Sequence, residues 1–388
     1  MGVHKSQIRV LYIAGRIGIM NGAYHSLLSS VVELKKMGVT PIVLLHTHGS
    51  VEDGFRENGV KCYVLPFCGC TVPADNPSRL KGIVKEMINR VLEPAVKRIM
   101  KKESIDLVHI NASTSSIGAV SALRKGIPLV WHLREFLEED VNLTYINKEK
   151  TAGLLRKADR IIAISDAVAE HFRKEYGIRN CVTVYNGISF QQTLSVKKKP
   201  ACGTFCFALV GRIVRTKGQL EALMAFHKAV RQGCSIARLL IVGDVGDQDY
   251  YKELCDYVRQ SGLESQVEIM DHQKNLVPVW KQSDVALICS TREGFGRVTA
   301  EFMLNGVPVI GADTGGTPEL LRDGRGLIYH YGDLQDLAGK MIFSIQHYDQ
   351  MIQMAEEARE YAMHAFTAVQ CAAGIKEVYD DILDSRNR

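Results

Sequence analysis

Val285-Ala-Leu-Ile-Cys-Ser-Thr-Arg-Glu-Gly-Phe-Gly-Arg-Val-Thr-Ala-Glu301 runs an apolar segment into a glycine turn and then into a helical pattern. The apolar run Val285–Cys289 has no polar alternation, so both faces of the strand should be buried, as in a parallel sheet. Gly294 and Gly296 let backbone N–H groups approach an anion, and a helix N-terminus favours a phosphate there. Glu293 lies before the turn and Glu301 lies about a turn and a half into the helix. Carboxylates so placed can accept hydrogen bonds from sugar or ribose hydroxyls. An ordinary helix start with acidic neighbours reads the same way when taken alone.

The same unit recurs on both sides. Downstream, Gly306-Val-Pro-Val-Ile-Gly311 leads into Thr314-Gly-Gly-Thr-Pro-Glu319. Upstream, Val210-Gly-Arg212-Ile-Val-Arg-Thr-Lys217-Gly218 closes another apolar run. Arg212 can reach a diphosphate with forked donors and Lys217 as a point charge. Strands are expected at Thr204–Val210, Leu239–Val242, Val267–Met270, Val285–Cys289, Pro308–Gly311 and Gly326–Tyr329. Helical patterns separate them at Gln219–Arg231, Tyr250–Gln260, Val298–Asn305 and Leu334–Ile345.

A second βα series precedes this one. Its strands are expected at Ile8–Ala14, Thr40–Leu45, Cys62–Leu65, Asp106–Ile110, Pro128–His132, Arg160–Ile164 and Val182–Tyr185, with helices at Ala23–Met37 and Ser116–Lys125 among them. Between the two series, QQTLSVKKKPA at 191–201 is polar, lysine-rich and ends in proline, as a linker does. The expected division is therefore 1–190, linker 191–201, then 202–365. A last helical stretch at 366–388 has no strand after it and is free to pack on either domain, including back on the first. Two doubly wound α/β domains in tandem place ligands outside their carboxyl strand ends, in a cleft between them.

Composition agrees with a globular protein: 388 residues, 46 % hydrophobic and 23 % charged. The ten cysteines are scattered, mostly within apolar runs, and read as reduced core residues. The first apolar run is too short for a secretory leader and no stretch is long enough to span a bilayer, so a cytoplasmic location is expected. Charge is uneven. Residues 1–190 carry 26 Lys/Arg against 18 Asp/Glu, and the rest carry 22 against 25. The excess concentrates in Arg79–Lys102, where eight basic residues face two acidic ones amid apolar residues at helical spacing. Two readings stand: a helix on an anionic membrane surface, or a core-packed helix with a solvated basic face, kinked at Pro94. Its lack of interleaved aromatics argues against nucleic acid.

In the first series, Gly15-Arg-Ile-Gly18-Ile-Met-Asn-Gly22 follows a strand and precedes a helix, but departs from the dinucleotide fingerprint and lacks the acidic residue at the end of the next strand. His132 closes the run Pro128–His132 within Trp131-His-Leu-Arg-Glu135, at a carboxyl strand end where functional residues gather. Asp247-Gln-Asp249 has a metal-motif look, but Asp at a turn before a helix is ordinarily an N-cap.

Over essentially the whole chain, and most densely over 209–321, the sequence resembles the retaining GT-B glycosyltransferases of family 4. Two glutamates separated by seven residues are the hallmark, met by Glu293 and Glu301 within EGFG…E…GVPVIGADTGGTPELL. The resemblance implies a GT-B fold of two Rossmann-like domains and a nucleotide-sugar donor, a UDP- or GDP-sugar. It also implies a glycan or lipid-linked acceptor, transfer with retention, and no metal or other cofactor. It gives Glu293 the donor sugar, Glu301 the ribose, and Arg212 and Lys217 the diphosphate. Gly22 and the backbone of Gly294, Phe295, Gly296, Arg297 and Val298 complete the donor contacts. His132 is placed beside the reacting sugar, with Arg134 and Glu135 on the acceptor side. A GT-B sugar-nucleotide epimerase and a non-catalytic sugar-nucleotide-binding protein are the competing readings.

Overall fold

The computed structural model describes residues 7–15, 22–188 and 203–387, and the expected linker at 191–201 lies outside the described residues. Two compact units divide the chain: Met1–Ser189 together with Phe366–Arg388, and Phe190–Ala365.

The first unit contains β1 (Ile8–Ile13), β2 (Val39–Leu45), β3 (Lys61–Val64), β4 (Thr71–Pro73), β5 (Leu107–Ile110), β6 (Leu129–Leu133), β7 (Leu143–Tyr145), β8 (Arg160–Ala163) and β9 (Cys181–Thr183). Seven of these form one parallel sheet in the order β3-β2-β1-β5-β6-β8-β9, while β4 and β7 make a separate antiparallel pair. The apolar runs predicted the sheet because those of the inner strands are buried on both faces, while the edge strands β3 and β9 are only partly covered. Val10, Leu107, Val130 and Ile162, from four different strands, are wholly enclosed. The β4–β7 pair was not expected. Its strands are three residues long and about seventy residues apart in sequence, so neither shows a local signal.

Helix Ala368–Asn387 belongs to this first unit. Cys371, Ala372, Ile375, Val378, Tyr379 and Ile382 join Val10, Tyr12 and Val31 in one core. The Tyr379 hydroxyl donates to Tyr12 Oη at 3.1 Å, and Arg386 reaches Asp159 at 2.6 Å.

The second unit repeats the scheme. Its strands are β10 (Phe205–Val210), β11 (Ala237–Val242), β12 (Val267–Met270), β13 (Val285–Ile288), β14 (Val309–Ala312) and β15 (Leu327–Tyr329). They form a parallel sheet in the order β12-β11-β10-β13-β14-β15. In both sheets the order reverses beside the first strand, between β1 and β5 and between β10 and β13. That switch point opens a crevice at the carboxyl strand ends, where doubly wound sheets bind ligands. A helix at Tyr348–Ala365, not anticipated from the sequence, packs on this unit through Met351, Ala355, Ala358 and Ala362.

Helix Arg79–Lys102 runs unbroken through Pro94. Only Gly82, Val96, Ile99 and Met100 of it are buried, so its last turns pack on the core as the core-packed reading required, while Leu80, Ile83, Val84, Met87, Ile88 and Val91 stand exposed. Past its end, Glu103 is 4 % exposed and accepts from Lys61 Nζ at 2.7 Å, Tyr63 Oη at 2.5 Å and Arg9 Nη2 at 3.1 Å. The Lys61 hydrogen bond, then that of Tyr63, holds its carboxyl below the usual range. A carboxylate depressed in the folded state contributes stability that is present above its unfolded value of about 4.3 and lost as pH falls through the folded value. Glu103→Gln is therefore expected to cost about 2 kcal/mol at neutral pH and to flatten the decline of the urea midpoint below that value. Parallel declines in the two proteins would contradict it.

Among the described residues no cysteine is bonded to another; Cys70, Cys181, Cys206, Cys234, Cys289 and Cys371 are buried free thiols.

Candidate functional site

Three strand-end loops of the second unit converge on Glu293. The loop after β10 is fixed first. Ile213 N donates to Asp244 O at 2.8 Å, tying it to the loop after β11, and the buried Gln219 side chain donates to Arg212 O at 2.9 Å. It then turns through Arg215–Lys217 into Gly218, which has φ +69° and lies so near Cys289 that a Cβ would stand 2.1 Å from Cys289 O. A side chain fits here neither the backbone conformation nor the space. Thr291 N donates to Thr216 O at 2.9 Å and closes the loop after β13 against it. The loop after β14 arrives from the other side. Thr314 Oγ1 donates to Ser290 O at 2.8 Å and Gly316 N to Glu293 O at 2.8 Å. Gly315, at φ +54°, passes so close that a Cβ would lie 2.4 Å from Glu293 O.

The Glu293 side chain is thereby aimed inward. Its Oε1 accepts from Lys217 Nζ at 2.5 Å and from Ser290 Oγ at 2.7 Å. Helix Arg297–Leu304 follows, with Gly296 at φ +90° as its N-cap and no side-chain cap. One turn in, Glu301 accepts from Arg297 Nε at 3.0 Å. Burial pushes the Glu301 carboxyl up, and the Arg297 guanidinium partly offsets this. A cavity of about 140 Å³ is lined by Gly211, Lys217, Ser290, Glu293, Gly296 and Arg297, among others. Two carboxylates, two cations and the first turn of an uncapped helix therefore meet at the switch point of one sheet. Such a set can hold a polyol through the carboxylates and a phosphate through the cations and the helix start.

Arg212 belongs to the same loop, yet its side chain is 63 % exposed and its Nε stands 3.7 Å from Asp244. Phe295 is buried and Val298 half-buried. Asp247 caps helix Gln248–Gln260, accepting from Tyr250 N at 3.0 Å. Among the described residues no group of three His, Cys, Asp or Glu side chains is arranged to hold a metal.

In the first unit, β6 runs one residue further than expected, to Leu133, so His132 sits inside the strand instead of closing it. Its ring is wholly enclosed, 5.4 Å from that of His109. Neither ring nitrogen has a hydrogen-bond partner among the described residues. Burial first, then Arg134 and His109, pushes its pKa well below the usual histidine value, so the ring is neutral. Arg134, just past the strand, spreads over the carboxyl ends of neighbouring strands. It donates to Asn111 Oδ1 at 3.1 and 2.7 Å and to Asn186 Oδ1 at 2.7 Å. These acceptors are neutral amides, and no carboxylate among the described residues forms an ion pair with it. Glu135 is half-buried beside it, and Gly22 begins helix Gly22–Lys36.

The sequence picked out Glu293, Glu301 and Lys217 but not how they combine. Ser290 was missed, although it follows a strand end. The Arg297 side chain was also missed, although it stands four residues before Glu301, the spacing that pairs charges on a helix.

Two family models match. That described as glycosyltransferase family 4 covers residues 20–192, and that described as glycosyl transferases group 1 covers 190–361. Among curated proteins, N-acetyl-alpha-D-glucosaminyl L-malate synthase of Bacillus anthracis is 30 % identical over 175 residues, 45 % of each chain. D-inositol 3-phosphate glycosyltransferase of Nocardiopsis dassonvillei is 27 % identical over 306 residues, 72 % of this chain and 69 % of that one. The match thus spans under half the length of the first relative and about two thirds of the second. Among solved structures, Anabaena Alr3699/HepE in complex with UDP and glucose aligns with a TM-score of 0.74 at 23 % identity, over 97 % of this chain and all of that one. A glycosyltransferase from Rickettsia africae aligns with a TM-score of 0.79 at 18 % identity, over 97 % and 99 %.

Proposed function

The chain belongs to the group 1, family 4 glycosyltransferases and has their GT-B fold, and from that premise we propose that it moves a sugar from a nucleotide-sugar donor to a hydroxyl of a glycan or lipid-linked acceptor, with retention and without a metal ion. The observation that carries this reading is the double pair Lys217–Glu293 and Arg297–Glu301 around the uncapped start of helix Arg297–Leu304. Without ligand, each cation neutralises a carboxylate. When sugar hydroxyls donate to Glu293 and ribose hydroxyls to Glu301, the cations are released toward the diphosphate. Charge on that diphosphate grows as the glycosidic bond breaks through an oxocarbenium-like centre. Lys217, Arg212 and the N–H groups at Gly296–Val298 meet the growing charge, so their stabilisation is larger in the transition state than in the bound donor.

A uridine donor is favoured, since UDP and UDP-glucose occupy the Anabaena neighbour. On the acceptor side, Arg134 offers a guanidinium held by amides, ready for a phosphate or carboxylate. L-malate and inositol 3-phosphate in the names of the relatives fit that chemistry. His132, enclosed and neutral, takes part only as an uncharged hydrogen-bonding group.

The test has two stages. UDP-, GDP- and ADP-sugars are screened by thermal shift, and a true donor at a hundred times its Kd is expected to add about 2.7 kcal/mol of stability. Release of nucleoside diphosphate is then followed with and without acceptor. It should need the acceptor and survive EDTA. Interconversion of free donor without acceptor would replace transfer by epimerisation, and loss of activity in EDTA with rescue by manganese would remove the metal-free reading.

A further inference from the structure

Helix Arg79–Lys102 has the apolar residues of its first half on the outside, whereas Val96, Ile99 and Met100 near its end are buried. Of the eleven large hydrophobic side chains that stand exposed among the described residues, six lie on this helix. Leu80 is 77 % exposed, Met87 62 % and Val91 78 %, with Ile83, Val84 and Ile88 beside them. At 100° per residue, Leu80, Val84, Met87 and Val91 fall within about 60° of one another, as a single stripe.

Over that first half the inner face is polar, and it is anchored. Lys85 Nζ donates to Thr71 O at 2.8 Å. Asn89 accepts from Cys68 N at 2.7 Å and donates to Cys68 O at 2.8 Å. Glu93 accepts from Gly118 N at 3.0 Å and also from the Ser121 hydroxyl. Gly82 lets the helix lie against Ile146, where a Cβ would come within 2.8 Å. Residues 82, 85, 89 and 93 therefore fix which side faces in, and the stripe faces out as a consequence. Ordinary surface helices have the reverse arrangement.

Charge specifies what covers the stripe. The two acidic residues of the helix are both engaged, Glu93 as above and Glu86 with Lys150 at 2.7 Å. Arg79, Lys81 and Arg90 are exposed to either side of the stripe and Arg98, Lys101 and Lys102 beyond its end, and none forms an ion pair among the described residues. A second copy of the chain would bring two such basic rims together. An anionic lipid surface complements them, and its acyl boundary takes the apolar stripe. No helix of the described residues is long and apolar enough to cross a membrane, so the helix would lie in the interface plane.

We propose that helix Arg79–Lys102 docks the first unit on an anionic membrane surface, with Leu80, Val84, Met87 and Val91 entering the headgroup boundary and the flanking Lys and Arg meeting lipid phosphates. The proposal does not rest on the transferase reading. It is tested by co-sedimentation of the full chain with vesicles of phosphatidylcholine, alone or mixed with phosphatidylglycerol, at low and high salt. Wild type should pellet with the mixed vesicles and be released by salt. The variant L80S/M87S/V91S keeps the charge and loses the stripe. The variant K81Q/R90Q/R98Q keeps the stripe and should lose roughly a hundredfold in partitioning, about fivefold per charge. Both should keep the wild-type melting temperature, because these side chains are exposed. Absence of wild-type pelleting on mixed vesicles, or pelleting unchanged in either variant, overturns the proposal. A concentration-dependent dimer abolished by L80S/M87S/V91S, without vesicle binding, overturns it in favour of self-association.

Discussion

Lys217→Ala is expected to lower turnover by about 10²–10³-fold while changing the affinity for the intact donor far less. Two effects act together. The diphosphate loses a cation as its charge grows. Glu293, which accepts from Lys217 and Ser290 on one oxygen, is left as an uncompensated negative charge beside it. The double variant Lys217→Ala/Glu293→Gln separates them, because removing the stranded charge should restore part of the loss relative to Lys217→Ala. Steady-state kinetics with saturating acceptor reads the split between kcat and KM. A single variant within about twofold of wild type would sink the assignment, since charge-stabilising donors ordinarily contribute far more.

The second large effect divides the two glutamates. Glu301→Ala should weaken binding of the nucleoside diphosphate itself by roughly 10–100-fold, the worth of hydrogen bonds to a charged acceptor. The variant also leaves Arg297 without the partner it holds at 3.0 Å. Glu293→Ala should leave that affinity nearly unchanged and mainly slow transfer, because its contact is to the sugar. Calorimetric titration of both variants with the nucleoside diphosphate decides the matter. Equal losses would refute the division of roles.

The fold was legible wherever the signal was local. Continuous apolar runs such as Val10–Ile13 and Val285–Ile288 announce strands buried on both faces, and their alternation with helical patterns implies parallel sheets. The glycine turn before Arg297 and the spacing of Glu293 and Glu301 were equally visible, because strand, turn and helix are contiguous there. What could not be read is what closes through space. Lys217 and Gly315 reach Glu293 only once three loops are brought together, and β4 pairs with β7 across a long intervening segment. Helix Arg79–Lys102 shows a further limit. Its apolar period is the same whichever face turns inward, and the choice rests on Gly82, Asn89 and Glu93, whose partners lie elsewhere in the chain. His132 teaches the same point on a smaller scale, since one added strand residue moves it from the end of β6 to its interior.

The first unit is split in sequence by the second, and this bears on the order in which the protein can be made. Tyr12 and Val10 are synthesised before Phe190–Ala365, but the helix that covers them, Ala368–Asn387, emerges only after that segment has been made. At ~5–20 residues per second that interval is roughly 10–35 s. Throughout it the sheet begun first keeps a bare apolar face, while the unit begun second is contiguous and can close on its own. Of these two units, the one begun earlier is thus the one completed later.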